Sequence, residues 1–388
     1  MRIAMFSWET FNSLPVGGVS AVVTQLSEAL AEKGHEVHVF TRACEGKPEH
    51  ELINGVWEHR CVTPGMEDFI DYMDHMCDSI VSCFHWAEQE YGRFDVIHGH
   101  DWHIVNALAN IRANKGYDNL VWSAHSTEYG RNGNHHADNW FAARVRHREW
   151  LGGYISKKVT TVSYAMRHEL GREYQVPQDK VSVIYNGINT KTFEGVLDAG
   201  KVKERFGLHP LDPVILFFGR MAYQKGPDLL LEAIPDIINE FYNARFIFAG
   251  SGDMIAHIKG RAAYLGVLHK IRTLGYVDEK TKMDLFKGCD LVCVPSRNEP
   301  FGIITLEAWA CGKPVVACDV GGPSEIIENF KTGVKVNHDP ASIAWGIKYF
   351  LGDRSGQSLK KMAPICVAEA KKYDWSELAK QYLNVYKK

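Results

Sequence analysis

Short apolar runs alternate along this chain with longer segments whose apolar positions recur every three or four residues. Arg2–Trp8 is an apolar run that predicts a strand, and it breaks at a polar loop containing Pro15, Gly17 and Gly18. Val19–Lys33 then carries helical periodicity through Val22, Val23, Leu26, Ala29 and Leu30. The alternation continues, with further strands predicted at Glu36–Thr41, Val56–Val62, Asp95–His100, Leu120–Ser126, Val159–Ser163 and Val181–Tyr185. Helices are predicted between them at Glu67–Glu90, His103–Asn114, Asp138–Ser156 and Tyr164–Tyr174.

After Asn186-Gly187, residues 187–212 read as a connection, with Gly195, Gly200, Gly207 and Pro210. A second series of strands follows at Val214–Phe218, Arg245–Ala249, Ile271–Leu274, Leu291–Pro295, Val315–Cys318 and Gly333–Val336. The stripe Leu230, Ala233, Ile234, Ile237, Ile238 and Phe241 is a packing face and carries no chemistry. Trp375–Tyr386 predicts a final amphipathic helix. Strands alternating with helices of this length imply parallel sheets covered on both faces. The fold class is therefore α/β, with two doubly wound parallel-sheet domains, residues 1–187 and 188–374.

A length of 388 residues suits two domains of middling size. No run reaches the roughly 18 apolar residues of a membrane span. The first residues enter a strand directly and show no export signal, so the expected location is cytoplasmic. Nine cysteines scattered from Cys44 to Cys366, none in a C-x-x-C, predict reduced thiols and neither a disulfide framework nor a zinc site. Residues 1–187 hold 17 Lys+Arg against 24 Asp+Glu and the remainder 27 against 23, so the halves carry −7 and +4. That polarity suits an anionic nucleotide ligand on the second half. It gives no nucleic-acid signature and no strong membrane signal.

Ligands of open parallel sheets collect beyond the carboxyl ends of the strands, which directs attention to the loops that leave strands. Pro295–Gly312 reads as a strand end, a turn at Gly302 and a helix opening, with Glu299 before the turn and Glu307 inside the helix. The amides of Gly302, Ile303 and Ile304 would open a helix N-terminus that favours an anion such as a diphosphate. Gly219-Arg220 and Lys225 put two cations at another strand tip, suited to a departing diphosphate. Read singly, these are ordinary loop acids and loop cations. Gly17-Gly18 allows close backbone approach, and His125 is a polar residue at a strand end, where a structural histidine is the commoner case. His98-Gly-His100-Asp101-Trp102-His103 clusters three imidazoles, but their placement fits a metal set poorly, and contact of Asp101 and Trp102 with a sugar is the better reading. Gly250-Ser251-Gly252 opens like a dinucleotide fingerprint and fails at the third glycine, where Ile255 stands.

Taken in order, Gly17-Gly18, His125, Arg220 with Lys225, and Glu299 with Glu307 resemble the signature of retaining glycosyltransferases of family 4, which have the GT-B architecture. The resemblance spans nearly the whole chain, including Tyr185-Asn186-Gly187-Ile188 and a helix opening at Trp375. It implies two Rossmann-like domains facing a cleft, with the C-terminal helix, residues 375–388, crossing back to the first. The first domain would be the acceptor side and the second would bind a nucleotide-diphosphate sugar. Glu307 would bind ribose, Arg220 and Lys225 with Gly219 beside them would hold the diphosphate, and Gly302, Ile303, Ile304 and Thr305 would offer backbone amides. Glu299 would grip the donor sugar, His125 and Asp101 would lie beside the transferring sugar, Gly17-Gly18 would close over the diphosphate, and Tyr276 with Val277 would flank the base.

The histidine run is most similar to glycogen and starch synthases, although Pro15 and Ser126 stand where bacterial members of that group place lysine and asparagine. The resemblance thus implies transfer of a hexosyl unit, expected to be glucose, from a UDP- or ADP-glucose-type donor to a glucan, oligosaccharide or small hydroxyl acceptor. It implies retention of configuration, no metal and no separate cofactor. The departing diphosphate oxygen would assist deprotonation of the acceptor, so no dedicated carboxylate base is called for. A nucleotide-sugar epimerase of the same architecture, a non-catalytic carbohydrate-binding relative, and a membrane-docked lipid glycosyltransferase using the basic, aromatic stretch Val145–Lys158 stay open as alternatives. The sequence leaves the oligomeric state unassigned.

Overall fold

The computed structural model describes residues 1–195, 197–353 and 356–387. The chain divides into two compact units, one built from Met1–Arg131, His135–Gly187 and the C-terminal segment from Trp375, the other from Asn132–Asn134 and Ile188–Asp374. Each unit is a layered α/β body, as the alternating pattern requires.

The first sheet has eight strands, β1 (Arg2–Phe6), β2 (Glu36–Arg42), β3 (His50–Ile53), β4 (Val56–Cys61), β5 (Val96–His100), β6 (Leu120–Ala124), β7 (Lys158–Thr161) and β8 (Val181–Val183), in the order β3-β4-β2-β1-β5-β6-β7-β8. Every pairing is parallel except β3 with β4. That edge hairpin departs from the all-parallel expectation. Its two-residue turn is Asn54-Gly55, with φ of 51° and 81°, the conformation that lets an antiparallel pair close without splaying.

The second sheet has six parallel strands, β9 (Val214–Phe218), β10 (Arg245–Ala249), β11 (Ile271–Gly275), β12 (Leu291–Val294), β13 (Val315–Cys318) and β14 (Gly333–Val336), in the order β11-β10-β9-β12-β13-β14. The helix Pro227–Glu240 buries Leu230, Ala233, Ile234 and Ile237, with Leu230, Ile234 and Ile237 each contributing about 1.5–3 kcal/mol. The expected connection at 187–212 contains a helix of its own, Ala199–Arg205, whose start is capped by the Asp198 carboxylate.

The terminal helix Trp375–Tyr386 belongs to the first unit. Its Trp375 indole donates to Gln25 at 2.6 Å, and its Tyr386 hydroxyl lies 2.8 Å from His98 Nδ1. Gly187 lies against the same indole so closely that a Cβ there would stand 2.6 Å from the ring. Lys388, the last residue of the expected segment 375–388, lies outside the described residues. Among the described residues no helix is long and apolar enough to cross a membrane.

Sheet order fixes where function can sit. In the first sheet the winding direction reverses between β1 and β5, and in the second between β9 and β12. The loops leaving these neighbouring strands must diverge, which opens a crevice at each carboxyl end.

Candidate functional site

In the second unit the β9 and β12 loops lie side by side, as their strands are paired. Gly226, at φ 64°, rests against the Pro295 carbonyl, which a Cβ would approach to 2.1 Å. Lys225 consequently reaches across to Glu299, its Nζ lying 2.9 and 2.8 Å from the two carboxylate oxygens. The Ser296 hydroxyl donates to the same carboxylate at 2.8 Å. Glu299 is buried, so this pairing is what keeps a charge tolerable there. Its own loop is braced from below, where Gly322 N–H donates to the Glu299 carbonyl at 2.9 Å. Gly321, at φ 56°, passes so near that a Cβ would meet that carbonyl at 1.9 Å.

Arg220 is exposed at the β9 tip, and its guanidinium donates to Gln224 at 3.0 Å. Gly219 precedes it with a backbone open to substitution by space but not by conformation, at φ 153°. Gly302, at φ 88°, caps the helix Ile303–Ala310, placing Ile303 and Ile304 in the open first turn. Thr305 differs from the expectation. Its amide is already donated to the Gly302 carbonyl at 2.8 Å, and what it leaves unpartnered is its buried hydroxyl. Beyond it, Glu307 is buried, with Oε1 2.5 Å from Lys282 and Oε2 without a partner. Burial pushes the Glu307 carboxyl upward while Lys282 pulls it back. For Lys282, burial works against the charge, but Glu307 and Glu279 outweigh it and raise its pKa. Tyr276 is exposed and Val277 half-buried, immediately before the helix Glu279–Gly288 that carries Lys282.

In the first unit the corresponding loops follow β1, β5 and β6. Glu9 is buried, and one of its oxygens accepts from the amides of both Val16 and Gly17 at 2.6 Å. Burial raises its pKa against the pull of those two amides. The Gly17 amide is thus committed internally, and its φ of −153° is one that any residue adopts. Gly18 opens the helix Gly18–Glu32.

Asp101 sits at φ 58° past β5, and its carboxylate accepts from the His125 amide at 2.7 Å. Its pKa is raised to about 6 by burial, against the pull of Arg131 and the amides of His125 and Ser126. Asp101 and Trp102, expected as sugar contacts, are both buried. The Asp101 carboxylate ties the β5 loop to the β6 loop, and Trp102 is buried with His103 stacked on its ring at 4.1 Å, so it offers no open face of the kind a sugar needs. His103 is itself sandwiched, with Trp8 on its other side at 4.4 Å.

His125 is buried, its Nε2 3.0 Å from His100 Nδ1 and its Nδ1 without a partner. Burial lowers its pKa to about 4. His98 bridges Ser123 at 2.6 Å and Tyr386 at 2.8 Å, whereas His100 Nε2 and His103 Nδ1 are buried without a hydrogen-bond partner.

Several contributors carried no local signal. Lys282, Gln224 and Ser296 are ordinary in sequence and become site residues only through their partners, Glu307 for Lys282, Arg220 and Asn298 for Gln224, and Glu299 for Ser296. Gly321-Gly322 was a readable signal, a glycine pair separated from the end of β13 by two residues. Glu9 preceded the glycine loop by eight residues and looked like any loop acid.

Residues 16–192 match the family model described as Glycosyltransferase Family 4, and residues 200–372 the one described as Glycosyl transferases group 1. The chain is 38% identical to an uncharacterized glycosyltransferase of Methanocaldococcus jannaschii, over 100% of its own length and 98% of the relative's. It belongs to the glycosyltransferases of this family. The enzyme is also 30% identical to a D-inositol 3-phosphate glycosyltransferase of Thermobispora bispora, across 95% of this chain and 89% of that one. Among solved structures, the glycosyltransferase shares its two-sheet GT-B fold with Anabaena HepE in complex with UDP-glucose, at a TM-score of 0.80 and 19% identity, covering 99% and 98% of the two chains.

Proposed function

We propose that this glycosyltransferase moves a hexosyl unit, glucose, from a nucleotide-diphosphate sugar of the UDP- or ADP-glucose type to a glucan or other hydroxyl acceptor, with retention and without a metal. The observation that carries the reading is the charge cluster at the β9/β12 switch point. Lys225 is held on Glu299, Arg220 is exposed beside it, and a helix N-terminus opens at Gly302. Such a cluster suits a diphosphate whose negative charge grows as it leaves.

Residues 188–374 form the donor side in this reading, and residues 1–187 with 375–388 the acceptor side. The unpartnered Glu307 Oε2 and Thr305 hydroxyl are acceptor and donor groups waiting for hydroxyls, as a ribose supplies. Glu299 keeps lone-pair capacity for a sugar hydroxyl beyond its bonds to Lys225 and Ser296. As the sugar takes on oxocarbenium character, Arg220, Lys225 and the helix N-terminus stabilise the leaving diphosphate. The departing oxygen takes the acceptor proton, so Glu299 and Glu307 bind and do not act as an acid–base pair. Neutral His125 and the backbone beside Gly17-Gly18 would contact the transferring unit and the diphosphate, and Tyr276 with Val277 the base.

A glucan acceptor follows from the glycogen and starch synthase-like histidine run. A phosphorylated polyol is a second reading, supported by the D-inositol 3-phosphate relative. A donor-by-acceptor screen with mass detection tests both, alongside nucleotide affinity of Glu307→Ala. Transfer to any hydroxyl acceptor with retained anomeric configuration is the expected result. No transfer, no slow donor hydrolysis and unchanged nucleotide affinity in the variant would overturn the reading. Release of an epimerised sugar without acceptor would replace it with the epimerase.

A further inference from the structure

Away from the strand-tip loops, β2, β3 and β4 and the helix Phe69–Tyr91 bring together a connected row of side chains. His38 Nε2 lies 3.1 Å from Glu36 Oε1, His38 Nδ1 lies 2.9 Å from His59 Nε2, and His59 Nδ1 lies 3.0 Å from His50 Nδ1. His50 and His59 are cross-strand partners of the edge hairpin. Cys83 projects from the helix so that its Sγ, His50 and His59 each offer a ligand atom within 4.8 Å of the others.

The hydrogen positions along this row follow from its anchor. Arg2 donates to Glu36 at 2.8 Å and holds that carboxylate ionised, so it can only accept. His38 must therefore donate from Nε2. Its Nδ1 then accepts from His59 Nε2–H at 2.9 Å, which leaves the lone pair of His59 on Nδ1, facing His50. A lone pair on a buried imidazole, fixed in tautomer by a carboxylate two rings away, is how metal-ligating histidines are prepared by their outer partners.

From this arrangement the geometry points to a binding site for one thiophilic divalent cation of the zinc class, held by Nδ1 of His50, Nδ1 of His59 and Sγ of Cys83. The two ring nitrogens already stand near the roughly 3.3 Å that two imidazoles keep around a tetrahedral ion, and Cys83 needs a small side-chain adjustment to about 3.5 Å from each. On binding, the Cys83 thiol proton goes to water, and the His50 ring proton leaves Nδ1 for Nε2. His50 and Cys83 are half-buried, which gives the ion a way in and leaves a fourth position for water. Trp86 stacks on His50 at 4.0 Å and holds the ring in place. Two imidazoles with one thiolate select against magnesium or calcium.

The test uses the full chain, reduced and stripped of metal, titrated with cobalt(II) and then zinc(II). One equivalent of cobalt should bind with a thiolate-to-cobalt charge-transfer absorption, and zinc should displace it. Cys83→Ser should abolish that absorption, and Cys83→Ser and His50→Gln should each weaken zinc at least tenfold against a competing chelator. Both positions are half-buried, and circular dichroism checks that the variants fold. His38→Gln, which leaves the three ligands in place, should weaken zinc about tenfold. Absence of the absorption in the unaltered chain, its persistence in Cys83→Ser, or its dependence on Cys61 instead would overturn the site and leave a histidine relay alone.

Discussion

The two units of this glycosyltransferase differ in how burial acts on the ionisable groups at their strand tips. In the first, burial drives the imidazoles toward neutrality, with His98 near pKa 3 and His125 near 4, and raises Asp101 to about 6, while one ion pair, Arg131 with the buried Glu149 at 2.7 Å, stands behind them. In the second, burial is met by partners, and Lys225–Glu299 and Lys282–Glu307 stand as pairs at 2.8 and 2.5 Å. The lesson is that burial alone does not set a charge state. A buried group stays charged where an opposite charge lies within hydrogen-bond distance, and a buried imidazole turns neutral where only a ring or a hydroxyl faces it. Neutral rings suit hydroxyls, whereas paired ions suit exchange with a polyanion.

The largest break in that comparison comes from Lys225→Met. It removes one charge of the leaving-group cluster and strands the buried Glu299 carboxylate. Transfer efficiency, kcat/KM, should fall about 10²- to 10³-fold, and denaturant unfolding should show a loss of about 3 kcal/mol. Adding Glu299→Gln should return much of the stability and none of the activity. If the double variant regains transfer, the pair is structural and the contrast between the units fails.

The first unit is tested through acid. An imidazole that unfolds at the ordinary pKa of about 6.5 and folds at about 4 contributes stability that is complete above 6.5 and lost as pH falls toward 4. Asp101, with its pKa raised by burial, acts with the opposite sign, its contribution falling as pH rises toward 6. The His125→Asn variant isolates the first effect. Its unfolding free energy should fall less than the parent's between pH 7 and 4, by about 3 kcal/mol at the lower end. Equal slopes would mean that His125 is not held neutral by its surroundings.

Much of this was legible in the sequence, and the exceptions have physical causes. All six strands of the second sheet keep their predicted starts and ends to within a residue, because parallel strands buried on both faces are continuous apolar runs. The edge strand His50–Ile53 was missed because one polar-faced strand of four residues leaves almost no apolar period, although Asn54-Gly55 announced the turn. Glu299, Glu307, Arg220 and Lys225 were readable as a set since each sits at a loop or helix opening. Lys282 was not, because a lysine inside a helix looks solvated until the register of β11 against its neighbours brings it to Glu307. The packing of Trp102 under His103 was not legible, because an aromatic beside an acid gives no sign in sequence of which side of it is packed.

The smallest expected effect is also the sharpest test of the paired side. In Glu307→Gln the amide retains an acceptor oxygen and the size of the side chain, but the charge opposite Lys282 is gone. If Glu307 serves the ribose through its unpartnered Oε2, nucleotide affinity by calorimetry should weaken about tenfold, the scale of one hydrogen bond to a charged group. Glu307→Ala, which removes both oxygens, should weaken it further. Stability should change less than in Lys225→Met, since Lys282 keeps Glu279 within 3.4 Å as a second counter-charge. A Gln variant that unfolds as readily as the Lys225 variant while binding nucleotide normally would show that this pair holds the helix in place and that only the Lys225–Glu299 pair is poised for exchange.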